Sequence, residues 1–262
     1  MITSAQNPKI QLLRTLFNRR KDRQAAGQFI AEGVRLVEEA WQAGLLPEIL
    51  FYSKDLSPRG LQIVENYRSQ KGVDAEEILP SLMDSLTQTE NSQGLLAVFP
   101  MQSRPLPARL NFVIIADNLR DPGNLGAILR CAAAASADAV LLTPGTTDPF
   151  APKVLRAGMG AHFRLPLLEM TWDAILSLAR QQTTPPLKLF LAEAATPGSS
   201  CWDLNLRQPL ALIIGGEAEG ATPEARNAAD QFISIPMPGS SESLNAAVAA
   251  GILIFEVVRQ RA

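Results

Sequence analysis

Between residues 112 and 116 the chain reads Phe-Val-Ile-Ile-Ala, five apolar residues with no polar one among them. A strand with one face in water alternates apolar and polar side chains. An unbroken run suits a strand buried on both faces, and such strands belong to parallel sheets covered by helices. Similar runs lie at Ala139–Leu142 and Leu210–Ile214, and further candidate strands at Leu187–Leu191 and Phe232–Ile235, with helical patterns near 124–135, 152–158, 172–181, 222–229 and 242–259. Strands alternating with helices predict an α/β fold with a mostly parallel sheet.

That region is set off by Pro100-Met-Gln-Ser-Arg-Pro-Leu-Pro107, a proline-rich stretch without apolar periodicity. It reads as a linker over residues 101–108, dividing a domain of residues 1–100 from one of residues 109–262. In the first domain, Asn7-Pro8 predicts a helix start with Ile10, Leu13 and Phe17 on one face. Phe29–Ala31, Ile49–Tyr52 and Gly94–Phe99 read as strands, Val34–Ala43 and Leu61–Ser69 as helices. A small α/β sandwich is expected.

Hydrophobic residues make up 47% of the 262 and charged residues 19%, enough for packed cores and against wholesale disorder. The net charge of −2 names no polyanionic partner, but its distribution is uneven. Residues 1–35 hold seven cations (Lys9, Arg14, Arg19, Arg20, Lys21, Arg23, Arg35) against Asp22 and Glu32. A local RNA-binding footprint over Arg19, Arg20, Lys21, Arg23 and Arg35 can hide inside a neutral sum. Cys131 and Cys201 are far apart, with no CxxC and no histidine at ligand spacing, so neither a disulfide scaffold nor a metal site is expected. The start lacks the apolar core of a signal peptide, and the run Ala246–Phe255 is too short to span a bilayer. A soluble cytoplasmic protein with no membrane partner is expected.

Open α/β sheets bind ligands beyond the carboxyl ends of their strands. Three such ends are rich in polar residues and glycine. The first, Asp117-Asn-Leu-Arg-Asp-Pro-Gly-Asn-Leu-Gly-Ala-Ile-Leu-Arg130, runs into a helix. Arg130 follows Asn124 by six residues, roughly 120° around a helix and about 9 Å along it. The segment alone is equally a capped helix with a solvated arginine. The second, Ile214-Gly-Gly-Glu-Ala-Glu-Gly220, precedes Thr222-Pro223-Glu224, a cap and N1 proline. It lacks the Gly-Lys-Ser/Thr of a phosphate loop, and no GxGxxG occurs in the chain. The third, Ile235-Pro-Met-Pro-Gly-Ser-Ser-Glu-Ser-Leu-Asn245, runs into a helix apolar around its circumference, which predicts burial. Ser243 could cap that helix, and Asn245 needs partners for its amide.

In this order the segments resemble the SpoU family of SPOUT-class RNA ribose 2′-O-methyltransferases. The matching stretches are DNLRDPGNLGAILRCAAAA (117–135), FAPKVLRAGMGAHFRLPL (150–167), LIIGGEAEGAT (212–222) and ISIPMPGSSESLNAAVAAGILIFE (233–256). The opening, with ITSAQNPKI (2–10) and GQFIAEGVRLVEEA (27–40), is similar to the accessory RNA-binding domain of the ribosomal-RNA branch. The resemblance implies a deep trefoil knot in the C-terminal domain, S-adenosylmethionine as cofactor, and a homodimer with the active site at the subunit interface. It places Asn124, Arg130, Glu217, Ser243 and Asn245 at catalytic positions, and Thr143, Gly215, Gly216, Ile235, Met237 and Leu244 at cofactor-binding ones. Departures are mild: Cys131 where threonine is common, Gly216 where Asn, Ser or Ala is common, and Ala-Ala after Asn245 rather than Val-Ser.

The implied reaction methylates a ribose 2′-hydroxyl in RNA, ribosomal RNA first. A transfer-RNA enzyme and a non-catalytic RNA-binding or ribosome-assembly protein are the alternatives. The long N-terminal domain argues against the first and the retained motif residues against the second. Arg130 is expected to contact the target phosphate and 2′-hydroxyl, either steadying the developing alkoxide or accepting the hydroxyl proton; the first role is favoured, because the second needs a pKa far below arginine's usual one. Asn124, Ser243 and Asn245 are expected to orient ribose and cofactor, and Glu217 to fix Arg130 or the cofactor loop. His162 is expected to be structural or close to RNA. Lys153 and Arg156, one helical turn apart, would meet phosphates or form a solvated face.

Overall fold

The computed structural model describes residues 1–87, 93–194, 199–216, 220–240 and 242–262. The chain forms two compact units, one of Met1–Gln102 with Phe150–Phe163 and one of Ser103–Pro149 with Arg164–Ala262. In chain order the first unit runs α1 (Pro8–Asn18), α2 (Arg20–Ala26), β1 (Gln28–Glu32), α3 (Val34–Gln42), β2 (Ile49–Tyr52), α4 (Pro58–Arg68), β3 (Asp74–Glu77), α5 (Pro80–Leu86) and β4 (Leu95–Pro100). The second begins with β5 (Phe112–Asp117), α6 (Pro122–Ala134) and β6 (Ala139–Leu142). Helix α7 (Pro152–Gly158) belongs to the first unit. The second resumes with β7 (Leu167–Glu169), α8 (Trp172–Ser177), β8 (Lys188–Ala192), β9 (Leu210–Gly215), α9 (Pro223–Ala228), β10 (Gln231–Ile233) and α10 (Ala246–Arg261).

The first unit is a mixed four-stranded sheet of order β1-β4-β2-β3, covered on both faces. Alternation along the strands assigns the faces. Phe29, Ala31, Leu50, Leu95, Ala97 and Phe99 pack with α3 and α4, whereas Ile30, Phe51, Leu96 and Val98 pack with α1 and α5. Leu155 of α7 and Phe163 join the α3–α4 side, with Phe163 stacked 6.3 Å from Phe29. Asn7 caps α1 as expected, accepting from the Lys9 amide.

Two side chains here depart from expectation. Arg23 is buried, and its guanidinium donates to the carbonyls of Leu16 (2.6 Å) and Phe17 (3.3 Å) at the end of α1. It closes that helix end, whereas of the other cations expected to meet RNA, Arg19, Lys21 and Arg35 are exposed and Arg20 is half-buried. Arg156 meets no open solvated face either, since its Nη1 lies 3.3 Å from the carboxylate of buried Glu32.

The second unit is a six-stranded sheet of order β10-β8-β9-β5-β6-β7 with every pairing parallel, as the apolar runs predict. Val113, Ile115, Leu141, Leu189, Leu191 and Ile213 face α8 and α9. On the other face α10 packs against α6 and β9. Helix α6 starts at Pro122 rather than Asn124, because the Asp121 side chain accepts from the Asn124 amide and caps it. Helix α10 starts at Ala246 rather than near 242, with Asn245, not Ser243, as its cap. It is also not buried all round: Val248, Ile252 and Phe255 are 51%, 40% and 47% exposed in the single chain, a stripe at helical spacing. Among the described residues no helix is long and apolar enough to cross a membrane, and no group of three His, Cys, Asp or Glu is placed to hold a metal ion.

Candidate active site

Strand β5 lies at the centre of the second sheet; the chain first adds β6 and β7 on one side, then builds β8, β9 and β10 on the other. This change of direction opens a crevice at the carboxyl ends of the strands. A cleft of about 560 Å³ lies there, lined by Ala192–Ala194 after β8, Ile214–Gly216 ending β9, Ile233 and Ile235 around β10, and Ser243–Ala246 leading into α10. Ile214, Ile233, Ile235, Met237, Leu244 and Leu253 make much of its wall apolar. Size and lining fit a ligand with a flat apolar group and several polar edges.

The glycines have a specific task. A Cβ on Gly215 would lie 2.6 Å from the Ala221 amide nitrogen, and one on Gly216 would lie 2.7 Å from the Asn118 carbonyl oxygen. Both contacts are with backbone, so only glycine lets these strand-end segments approach so closely. Gly216 and Gly220 form an isolated antiparallel bridge. Glu217, expected to be catalytic, lies outside the described residues.

Next to Thr222 sits a group the motif reading passed over. The Asp117 carboxylate ends β5 with no exposed surface. Its Oδ1 accepts from the Thr143 hydroxyl, the Trp172 indole N–H and the Thr222 hydroxyl, each at 3.1 Å, and Oδ2 accepts from the Thr222 amide at 2.7 Å. A single buried acceptor therefore ties together the ends of β5 and β6, the start of α8 and the far end of the glycine loop. Thr143, expected to touch cofactor, is buried and does not line the cleft; its hydroxyl also accepts from the Asn118 amide at 3.0 Å. The signal missed in the sequence was an acid closing an all-apolar strand, which needs internal donors once buried.

At the rim the first and third motifs meet. Asn245 Oδ1 accepts from the amides of Ala247 and Val248, which fixes the orientation of its carboxamide. Its Nδ2 is thereby directed to Asn124 Oδ1, 3.0 Å away. Ser243, Leu244 and Asn245 line the cleft with Gly215, Gly216, Ile235 and Met237. Arg130 is exposed on α6 and does not line it.

A doubly covered parallel sheet with a glycine-edged cleft at its strand ends defines an α/β protein whose cleft has room for a nucleoside-sized ligand. Residues 111–255 match the SpoU rRNA Methylase family, and residues 7–97 match the MRM3-like substrate binding domain. The chain belongs to the SpoU rRNA methylase family and is an S-adenosylmethionine-dependent RNA ribose 2′-O-methyltransferase. It is 32% identical to a 23S rRNA (guanosine(2553)-2′-O)-methyltransferase of Bacillus subtilis, with 98% of each chain covered. It is 36% identical to the mitochondrial rRNA methyltransferase 3A of Danio rerio, covering 91% of this chain and 65% of that protein. Among solved structures, the SpoU methyltransferase AviRb from Streptomyces viridochromogenes in complex with AdoMet superposes with a TM-score of 0.88 at 28% identity, covering 98% of each chain. An AdoMet-bound rRNA methyltransferase from Sinorhizobium meliloti gives 0.85 at 29% identity, covering all of this chain and 98% of that one.

Proposed function

We propose that the chain methylates a ribose 2′-hydroxyl of ribosomal RNA, residues 1–100 gathering the RNA and residues 109–262 carrying out transfer across a knotted, dimeric site. The observation that carries this reading is the Asn124–Asn245 hydrogen bond beside Ser243 and Leu244, which joins two motifs 121 positions apart at the mouth of the cleft. The rRNA methyltransferase relatives named above support ribosomal over transfer RNA as substrate.

S-adenosylmethionine, when bound, supplies a methyl group already activated by its sulfonium. What the protein must add is alignment and help in removing the hydroxyl proton. The apolar walls and backbone edges at Gly215, Gly216, Ile235, Met237 and Leu244 hold the donor. Asn124 and Asn245, each fixed at a helix start, orient the acceptor ribose with Ser243. Arg130 contacts the target phosphate and stabilises charge as it develops on the 2′-oxygen. Because Arg130 stands outside the cleft of its own chain, a second copy completes the site, docked through the exposed Val248–Ile252–Phe255 stripe of α10. Glu217 steadies the glycine loop or Arg130. The free thiols of Cys131 and Cys201 suit a cytoplasmic enzyme.

The test is transfer of labelled methyl groups to ribosomal RNA, mapped as alkali-resistant linkages, because a methylated 2′-oxygen cannot attack the neighbouring phosphate. Arg130→Ala is expected to lower the transfer rate about 10²- to 10³-fold while leaving cofactor affinity unchanged. An undiminished rate would remove Arg130 from the chemistry, and methylation found only in transfer RNA would overturn the substrate class.

A further inference from the structure

The cleft holds two charges that the transfer reaction leaves without a task. Glu193 follows β8 and Arg226 lies on α9, and both line the cleft. Arg226 Nη1 donates to Glu193 Oε1 at 2.5 Å. Their side chains stay 44% (Arg226) and 28% (Glu193) exposed, so neither is consumed by the pairing. A guanidinium keeps further N–H groups and a carboxylate further lone pairs for a ligand. Partly exposed ion pairs add little to stability, so folding gives weak reason to place one here. Much of the remaining lining is aliphatic.

Opposite charges side by side against an apolar wall match a ligand group that itself carries an ammonium and a carboxylate on one carbon. We infer that Glu193 and Arg226 hold the amino-acid arm of S-adenosylmethionine: Glu193 accepts from the α-ammonium and Arg226 donates to the α-carboxylate. The inference rests on the donor reading above. Of the donor's parts, adenine and ribose are neutral and the sulfonium carries one charge only, so no other part engages both residues with complementary sign. The bound state is an alternating four-charge cluster, in which each protein group keeps its present partner and gains a second. These are positioning residues: they set how the donor lies and take no part in moving the methyl group.

The experiment compares two neutral-sulfur ligands by calorimetry on the full chain. S-adenosylhomocysteine carries the amino-acid arm, and 5′-methylthioadenosine keeps adenine, ribose and sulfur without it. Glu193→Gln and Arg226→Gln are each expected to weaken S-adenosylhomocysteine about tenfold, as for loss of one charge-assisted hydrogen bond, and 5′-methylthioadenosine by less than about twofold. Glu193→Gln is isosteric, so it carries the test alone should Arg226→Gln fold poorly. Equal weakening of both ligands would reassign the pair to the ribose or to cleft structure, and no weakening of either would leave it outside the site; both results overturn the inference. If the unaltered protein binds neither ligand, the donor reading itself fails, which the wild-type titration shows before any variant is made.

Discussion

At the scale of single residues, buried polar groups decide most. The Asp117 carboxylate accepts four hydrogen bonds and has no water to replace any of them. In Asp117→Asn an amide N–H₂ must face a donor, either the Thr222 amide or the cluster at Oδ1. The expected cost is about 2–4 kcal/mol of stability, together with weaker cofactor binding because Thr222 anchors the glycine loop. Urea unfolding and calorimetry read the two effects; a variant with both unchanged would show that the hub is not needed. Tyr67 is the other case. It is fully buried, its hydroxyl 3.2 Å from the Leu45 carbonyl oxygen and 3.3 Å from that of Val37, and burial raises its pKa above the ordinary 10.0. The folded state then holds the proton to higher pH than the unfolded state. The stability from the neutral phenol is complete below pH 10.0 and falls as pH rises beyond it. Tyr67→Phe is expected to lose about 1 kcal/mol at neutral pH and to show a flatter decline above pH 10 than the wild type in parallel urea titrations.

Elements were legible in the sequence where burial is symmetric and composition says so. The apolar runs of β5, β6 and β9 could be little else, and Asn7-Pro8 and Thr222-Pro223 marked true helix starts. Strand β3 was not legible, since Asp-Ala-Glu-Glu has no strand propensity of its own. Its place comes from parallel pairing with β2, and Lys9 lies 2.6 Å from both Asp74 and Glu76. The cleft divides the same way. Short motifs disclosed Asn124, Asn245 and the glycines, whereas Asp117, Glu193 and Arg226 gain meaning only from partners tens of positions away. Helix α10 shows the limit of periodicity: apolar residues all round predicted burial, yet Val248, Ile252 and Phe255 stay exposed in the single chain, the face proposed above to meet a second copy. Placing a charge in its stripe, as Ile252→Glu, is expected to yield a folded monomer that has lost methyl transfer, read by sedimentation velocity and circular dichroism. A dimer that survives the substitution would place the interface elsewhere.

For the whole molecule the relevant quantity is where charge sits, because a net −2 hides seven cations in the first 35 residues. In the proposed RNA complex each of those cations that neutralises a phosphate adds about 0.7–0.9 to the salt slope, so the slope counts the contacts. Structure sorts the cluster. Arg19 and Lys21 are exposed and Arg20 is half-buried, whereas Arg23 is locked onto the carbonyls that end α1. Replacing Arg19, Arg20 and Lys21 by glutamine is therefore expected to flatten the slope of log affinity against log salt by about 2 to 3, with the melting temperature unchanged. Arg23→Gln should behave in the opposite way. It leaves buried carbonyls without a donor and lowers stability by about 1–3 kcal/mol, but removes no phosphate contact and leaves the slope alone. Measuring both variants by RNA binding across a salt series and by thermal unfolding separates a footprint from a folding role. A triple variant with an unaltered slope would mean that the RNA backbone enters by another face, with Arg35 and the exposed cations of the second unit, Arg120 and Arg130, the next to neutralise.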